Sequence, residues 1–162
     1  FSAYTGTTGR ELYMSDGTSA SLVEDIVVGI DGSNPYGFTK LNENEVVFTA
    51  DSSVGIELLK YNILTDNLSV ISDLNPGAGD STPSSFVNLN GMLYFMASSP
   101  FIGNELYRTN GDDIFNLIQD LTSNGSSIFE YFNKRVNLDA SEDLFFFHKK
   151  NNGKYDLYLL KP

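Results

Sequence analysis

The sequence predicts an all-β protein, a β-propeller segment of four-stranded antiparallel blades in which two full blades are flanked by two incomplete ones. Three observations predict it. Two unrelated motifs recur with one shared period of about 47 residues. Between them the residues alternate apolar and polar with period two, broken by Gly, Asn, Asp and Ser. No segment carries a helical stripe.

The first motif is Gly-x-Glu-Leu, with Gly9, Glu11 and Leu12, then Gly55, Glu57 and Leu58, then Gly103, Glu105 and Leu106. A fading copy follows at Gly153, Asp156 and Leu157, and successive glycines lie 46, 48 and 50 residues apart. The second motif is an Asp-Ile/Leu step leading through a Gly- and Ser-containing loop to Phe. It opens at Asp25, Asp73 and Asp120, spaced by 48 and 47 residues. Two motifs keeping one beat are hard to obtain by chance.

The clearest copy reads as four strands. Ser85 to Leu89 is strand one, and Asn90-Gly91 is a pair that favours tight hairpin turns. Met92 to Ala97 is strand two, Glu105 to Arg108 strand three and Phe115 to Ile118 strand four. Four short antiparallel strands per period make one propeller blade. The whole chain reads as one partial propeller domain: an incomplete blade at 1–27, blades at 35–73 and 84–121, and an incomplete blade at 127–162. The chain enters in a strand-two pattern at Phe1 and leaves in a strand-three pattern at Leu160. A processed or excised segment is therefore expected. It would be either part of a longer propeller or a chain that closes by self-association with another copy.

Composition bounds the partners. Ten basic residues against 21 acidic ones give a formal charge of −11, which repels nucleic acid and anionic headgroups. No apolar run approaches the length of a membrane span, so no membrane insertion is expected. With no cysteine there is no thiolate nucleophile, thiolate metal site or disulfide framework.

The run Glu11-Leu12-Tyr13-Met14-Ser15-Asp16-Gly17-Thr18 resembles the bacterial repeat family named for its Glu-Leu-Trp-x-x-Asp-Gly-Thr signature, with Tyr in place of Trp. The companion pattern of that family is matched by Asp73-Leu74-Asn75-Pro76-Gly77 and Ser81-Thr82-Pro83. The resemblance spans essentially the whole chain and weakens toward its end, where Asn62, Asn110 and Lys161 replace the signature Asp. It implies propeller-type repeats in a secreted or cell-surface protein, and no enzyme activity.

Candidate residues follow from these motifs. Gly9, Glu11, Asp16, Gly55, Glu57, Gly103, Glu105, Asp25 and Asp120 recur, and a role shared by every blade is usually a packing role. An acid beside Gly would accept backbone hydrogen bonds and fix a loop. A ring of such carboxylates would alternatively bind a hard cation. The loop 75–81, with Asp73 and Asp80, is the best single place for calcium, although it lacks the alternating acids of known calcium loops. Apart from that ion no cofactor is expected.

His148 is the only histidine, and no Gly-x-Ser-x-Gly elbow accompanies it, so neither a triad nor a zinc site is expected. The adjacent Asp112 and Asp113 do not converge as a catalytic dyad would. Asn67-Leu68-Ser69 and Asn124-Gly125-Ser126 match the glycosylation sequon. The aromatic residues Tyr4, Tyr13, Tyr94, Tyr107 and Tyr131 occupy strand positions suited to packing between blades, whereas Phe101 follows Pro100 in a loop and is the candidate exposed contact. The expected function is a noncatalytic extracellular module for adhesion, scaffolding or binding of a protein or glycan. The alternatives are a fragment of a glycan-acting propeller enzyme and a purely structural spacer.

Overall fold

The period-two alternation becomes a series of short antiparallel sheets. The computed structural model describes residues 1–100 and 102–112 in full, and strands 116–119, 128–138, 141–149 and 155–160 by their backbone. Strands β1 (Ser2–Thr5), β2 (Gly9–Ser15) and β3 (Ala20–Glu24) form a three-stranded meander. A four-stranded sheet follows, from β4 (Tyr36–Lys40), β5 (Glu45–Ala50), β6 (Glu57–Asn62) and β7 (Asn67–Ser72). The next is also four-stranded, from β8 (Ser84–Leu89), β9 (Met92–Ser99), β10 (Gly103–Thr109) and β11 (Asn116–Gln119). Strands β12 (Ile128–Leu138), β13 (Ser141–Lys149) and β14 (Tyr155–Leu160) make the last, three-stranded sheet. Every pairing is antiparallel between chain neighbours, and no helix occurs among the described residues.

Turn chemistry sets the registers. Asn90 and Gly91 both have positive φ, 51° and 82°, the conformation that a two-residue hairpin requires. Leu89 accordingly pairs with Met92 across that turn. Asp16 closes the β2–β3 turn by accepting from the amides of Thr18 and Ser19, both at 2.8 Å. Those two amides, Ser19 before Thr18, hold its carboxyl below the ordinary aspartate range. Strand β9 runs past Ala97 to Ser99, where Ser98 and Ser99 pair with Asn104 and Gly103 and the Ser98 amide also meets the Ser81 carbonyl at 2.8 Å.

Strands β5 and β6 are buried on both faces. Phe48, Ala50, Leu59 and Tyr61 pack toward the first sheet with Leu12, supported by Val23 and Ile26. Their neighbours Val47 and Leu58 pack the other way, with Leu93, Phe95, Ala97 and Tyr107 of the third sheet. The first three sheets thus stack face to face in chain order, each contributing alternate residues to a shared apolar layer. Phe95 stacks on Tyr107 with ring centres 5.9 Å apart and meets Phe86 at 6.1 Å. The first strands of successive sheets lie side by side, β4 against β8 and β8 against β12. Gly37 makes room for this, since a Cβ there would sit 2.6 Å from the Phe86 ring. Asn88 ties the same junction by donating to the carbonyls of Lys40 and Leu41 at 2.6 and 2.7 Å.

Candidate functional site

The recurring glutamates are among the most deeply buried polar groups in the described residues. Glu11, Glu57 and Glu105 are each fully inaccessible, each near the start of the strand that follows its glycine. A buried carboxylate is costly unless its oxygens are met by donors. For Glu11 and Glu57 those donors come from the loop that leads to the next sheet.

Glu11 accepts the amide of Val27 at 3.0 Å and the amide of Ser33 at 2.8 Å on one oxygen, and the Ser33 hydroxyl on the other. Glu57 repeats the pattern. The Ser81 amide donates to Oε1 at 3.1 Å, while Oε2 accepts the Ser81 hydroxyl and, at 3.4 Å, the Leu74 amide. Two backbone contacts accompany each carboxylate. Asn34 N donates to the Arg10 carbonyl at 2.9 Å, as Thr82 N does to that of Ile56 at 3.1 Å. The serine carbonyl then accepts from the next sheet, Ser33 O from Asp51 N and Ser81 O from Ser98 N, both at 2.8 Å. Each serine is thus a joint, held by the acid of one sheet and holding the C-terminal end of the second strand of the next, at Asp51 just past β5 and at Ser98 within β9.

The glycines admit the loop. A Cβ at Gly9 would lie 2.5 Å from the Ile30 carbonyl oxygen, and one at Gly55 would lie 2.4 Å from that of Gly79. Side chains do not tolerate such approaches, and φ is positive at both, +66° and +91°. Gly103 shares the positive φ, at 76°.

Between the serine and its proline, Asn34 and Thr82 are left-handed, with φ of 51° and 44°. Asn tolerates this region, whereas β-branched Thr is strained in it. Thr82→Asn is expected to raise stability by about 1 kcal/mol, read as a higher urea midpoint at unchanged m. An unchanged or lower midpoint would contradict the strain.

Burial raises the Glu57 carboxyl from its ordinary 4.5 to about 7, against the opposing pull of the Ser81 and Leu74 donors; the charge of Asp73 adds to the rise. Ser81 can serve either form. Its hydroxyl donates to ionised Glu57, or turns to the Ile56 carbonyl at 3.4 Å when the acid carries the proton.

The remaining motif residues take separate places. Asp25 and Asp73 occupy corresponding positions, each with a buried Oδ1 that has no hydrogen-bond partner among the described residues. The other oxygen of Asp73 accepts the Gly77 amide at 3.0 Å. Asp80 accepts the Ile56 amide at 2.9 Å and stays on the surface. The two expected calcium ligands are therefore engaged by backbone amides, and among the described residues no three His, Asp or Glu side chains converge as a metal-binding set. Phe101 and Asp120 lie outside the described residues, as does the side chain of His148. Of the aromatic set, Tyr94 and Tyr107 are buried and Tyr4 is 64% exposed.

These features define an all-β protein whose sheets are joined by buried carboxylates. No protein-family model matches the chain, and no curated protein matches it significantly.

Proposed function

We propose that this chain is a noncatalytic module of propeller-type repeats, acting outside the cell or at its surface in adhesion, scaffolding or binding of a protein or glycan. The observation that carries the reading is the use made of the recurring acids. Glu11 and Glu57 each spend both oxygens on three donors from their own loop. General acid–base chemistry needs a carboxyl within reach of a substrate proton, and these two are sealed from solvent.

The propeller arrangement is supported by face-to-face sheets in chain order and by the side-by-side first strands β4, β8 and β12. The extracellular setting is supported by the resemblance of 11–18 to the Glu-Leu-Trp-x-x-Asp-Gly-Thr repeats and by the net charge of −11.

The purified chain is expected to turn over none of a panel of chromogenic glycosides, esters and peptides. Turnover abolished by a single acidic-to-amide substitution would overturn the noncatalytic reading.

A further inference from the structure

The face of the second sheet that packs on the third is apolar along Val47 and Leu58 and turns polar at one end. Two cross-strand rows meet there. Glu45 pairs with Asn62 and Asn62 with Asn67, while Lys60 pairs with Val47 and Ser69. Partners in register project from the same face, so Glu45, Asn62, Asn67, Lys60 and Ser69 share one surface. The turn at 110–112 covers part of it, leaving a cavity of about 420 Å³ with Asp112 on the opposite wall. That volume lies within the range of small-ligand pockets.

Its floor is built and charge-balanced. Lys60 Nζ lies 3.2 Å from Glu45, both side chains are more than four-fifths buried, and Lys60 also donates to the Gly111 carbonyl. Asn42 and Asn62 donate to the two Glu45 oxygens at 2.7 and 3.3 Å. Burial pushes the Glu45 carboxyl up, but hydrogen bonds from Asn42, Lys60 and Asn62 outweigh it and keep it below the ordinary glutamate range. The wall is unspent: the side chains of Asn67 and Ser69 make no hydrogen bond among the described residues, and Asp112 uses one oxygen, toward Asn110.

Asn62 holds the turn position shared by Asp16 and Asn110, whereas the Glu45–Lys60 pair does not recur. One period on, Met92 stands for Glu45 and Arg108 for Lys60; one period back, Met14 stands for Lys60. Unlike the Glu11 and Glu57 carboxylates, the Glu45–Lys60 pair serves no role common to the sheets. Its chemistry selects the ligand. Two acids against one already paired lysine disfavour an anion, and drying a buried ion pair against an apolar group is costly. A neutral polyol fits, since its hydroxyls accept from the Asn67 amide and donate to Asp112.

We propose that this cavity binds a neutral sugar unit, a site that rests on the binding-module reading and makes it specific. With no aromatic ring among the described lining residues, affinity for one unit is expected in the millimolar range, on the order of 4 kcal/mol.

The test is a ¹⁵N-correlation titration of the whole chain with glucose, galactose, mannose and N-acetylglucosamine, and with phosphate and ethylammonium as charged probes. Saturable shifts at Asn62, Asn67 and Ser69 with at least one neutral sugar are expected, weakened at least tenfold in Asn67→Ala/Ser69→Ala. Both positions are on the open wall, and an unchanged melting curve shows that the variant folds. Shifts confined to another surface, stronger saturation by ethylammonium or phosphate, or no saturable shift with any sugar would each overturn the site. None of these outcomes implies turnover, so the noncatalytic reading fails or stands separately.

Discussion

Glu57→Ala is expected to cost about 3–5 kcal/mol, and Glu57→Gln about 1–3 kcal/mol at pH 5. Alanine leaves the Ser81 amide and hydroxyl and the Leu74 amide facing a void that the carboxylate filled. Glutamine keeps the volume but sets a donating NH₂ toward groups that are themselves mainly donors. The pH dependence carries the sign of the raised pKa. The folded state holds its proton up to about 7, against 4.5 for the ordinary group. This contribution to stability is therefore fully present below pH 4.5 and is lost as pH rises through 7. Its size is on the order of 3 kcal/mol. Urea unfolding at pH 5 and pH 8 checks both points. The wild type should lose more stability over that interval than Glu57→Gln, so the glutamine penalty should shrink at the higher pH. A penalty unchanged between the two pH values would show that the buried acid is ionised throughout.

Gly55→Ala is expected to cost more than Gly17→Ala by several kcal/mol, although the two share nearly the same positive φ. Their φ values are +91° and +89°, so the intrinsic cost of an L side chain, about 1–2 kcal/mol, is common to both. The surroundings differ. Nothing lies within 4 Å of a Cβ at Gly17, whereas at Gly55 it would meet the Gly79 carbonyl oxygen at 2.4 Å and Asp80 Oδ1 at 3.1 Å. Loop 75–81 would have to lift from the sheet, drawing Ser81 from Glu57 and weakening its carbonyl bond to Ser98. Equal losses of stability in the two variants would mean that the close approach carries no energy.

The order of strands was legible because turn residues and alternation act locally. Asn90-Gly91 needs no partner elsewhere to form its hairpin, and β8–β11 fall within two residues of the strands the alternation places there. What Glu57 touches was not legible. Its serine lies 24 residues onward, and that of Glu11 22 residues onward, in motifs that read in one dimension as separate landmarks. Only the approach of the loop to Gly55 brings them together. Asp80 shows the same limit: in sequence it reads as an oxygen ligand for a cation, and in the fold it accepts the Ile56 amide. The Glu45–Lys60 cavity left no motif, because its residues come from three strands and two turns and its ion pair does not recur.

The central claim is that the recurring acid holds its own loop and thereby joins one sheet to the next. Native-state hydrogen exchange of the wild type and Glu57→Gln tests it most directly. The amides of Leu74, Ser81 and Ser98 should lose at least about tenfold protection, while Val27 and Ser33, held by Glu11, change far less. Unchanged protection at Ser81 and Ser98, in a variant that still folds, would contradict the claim.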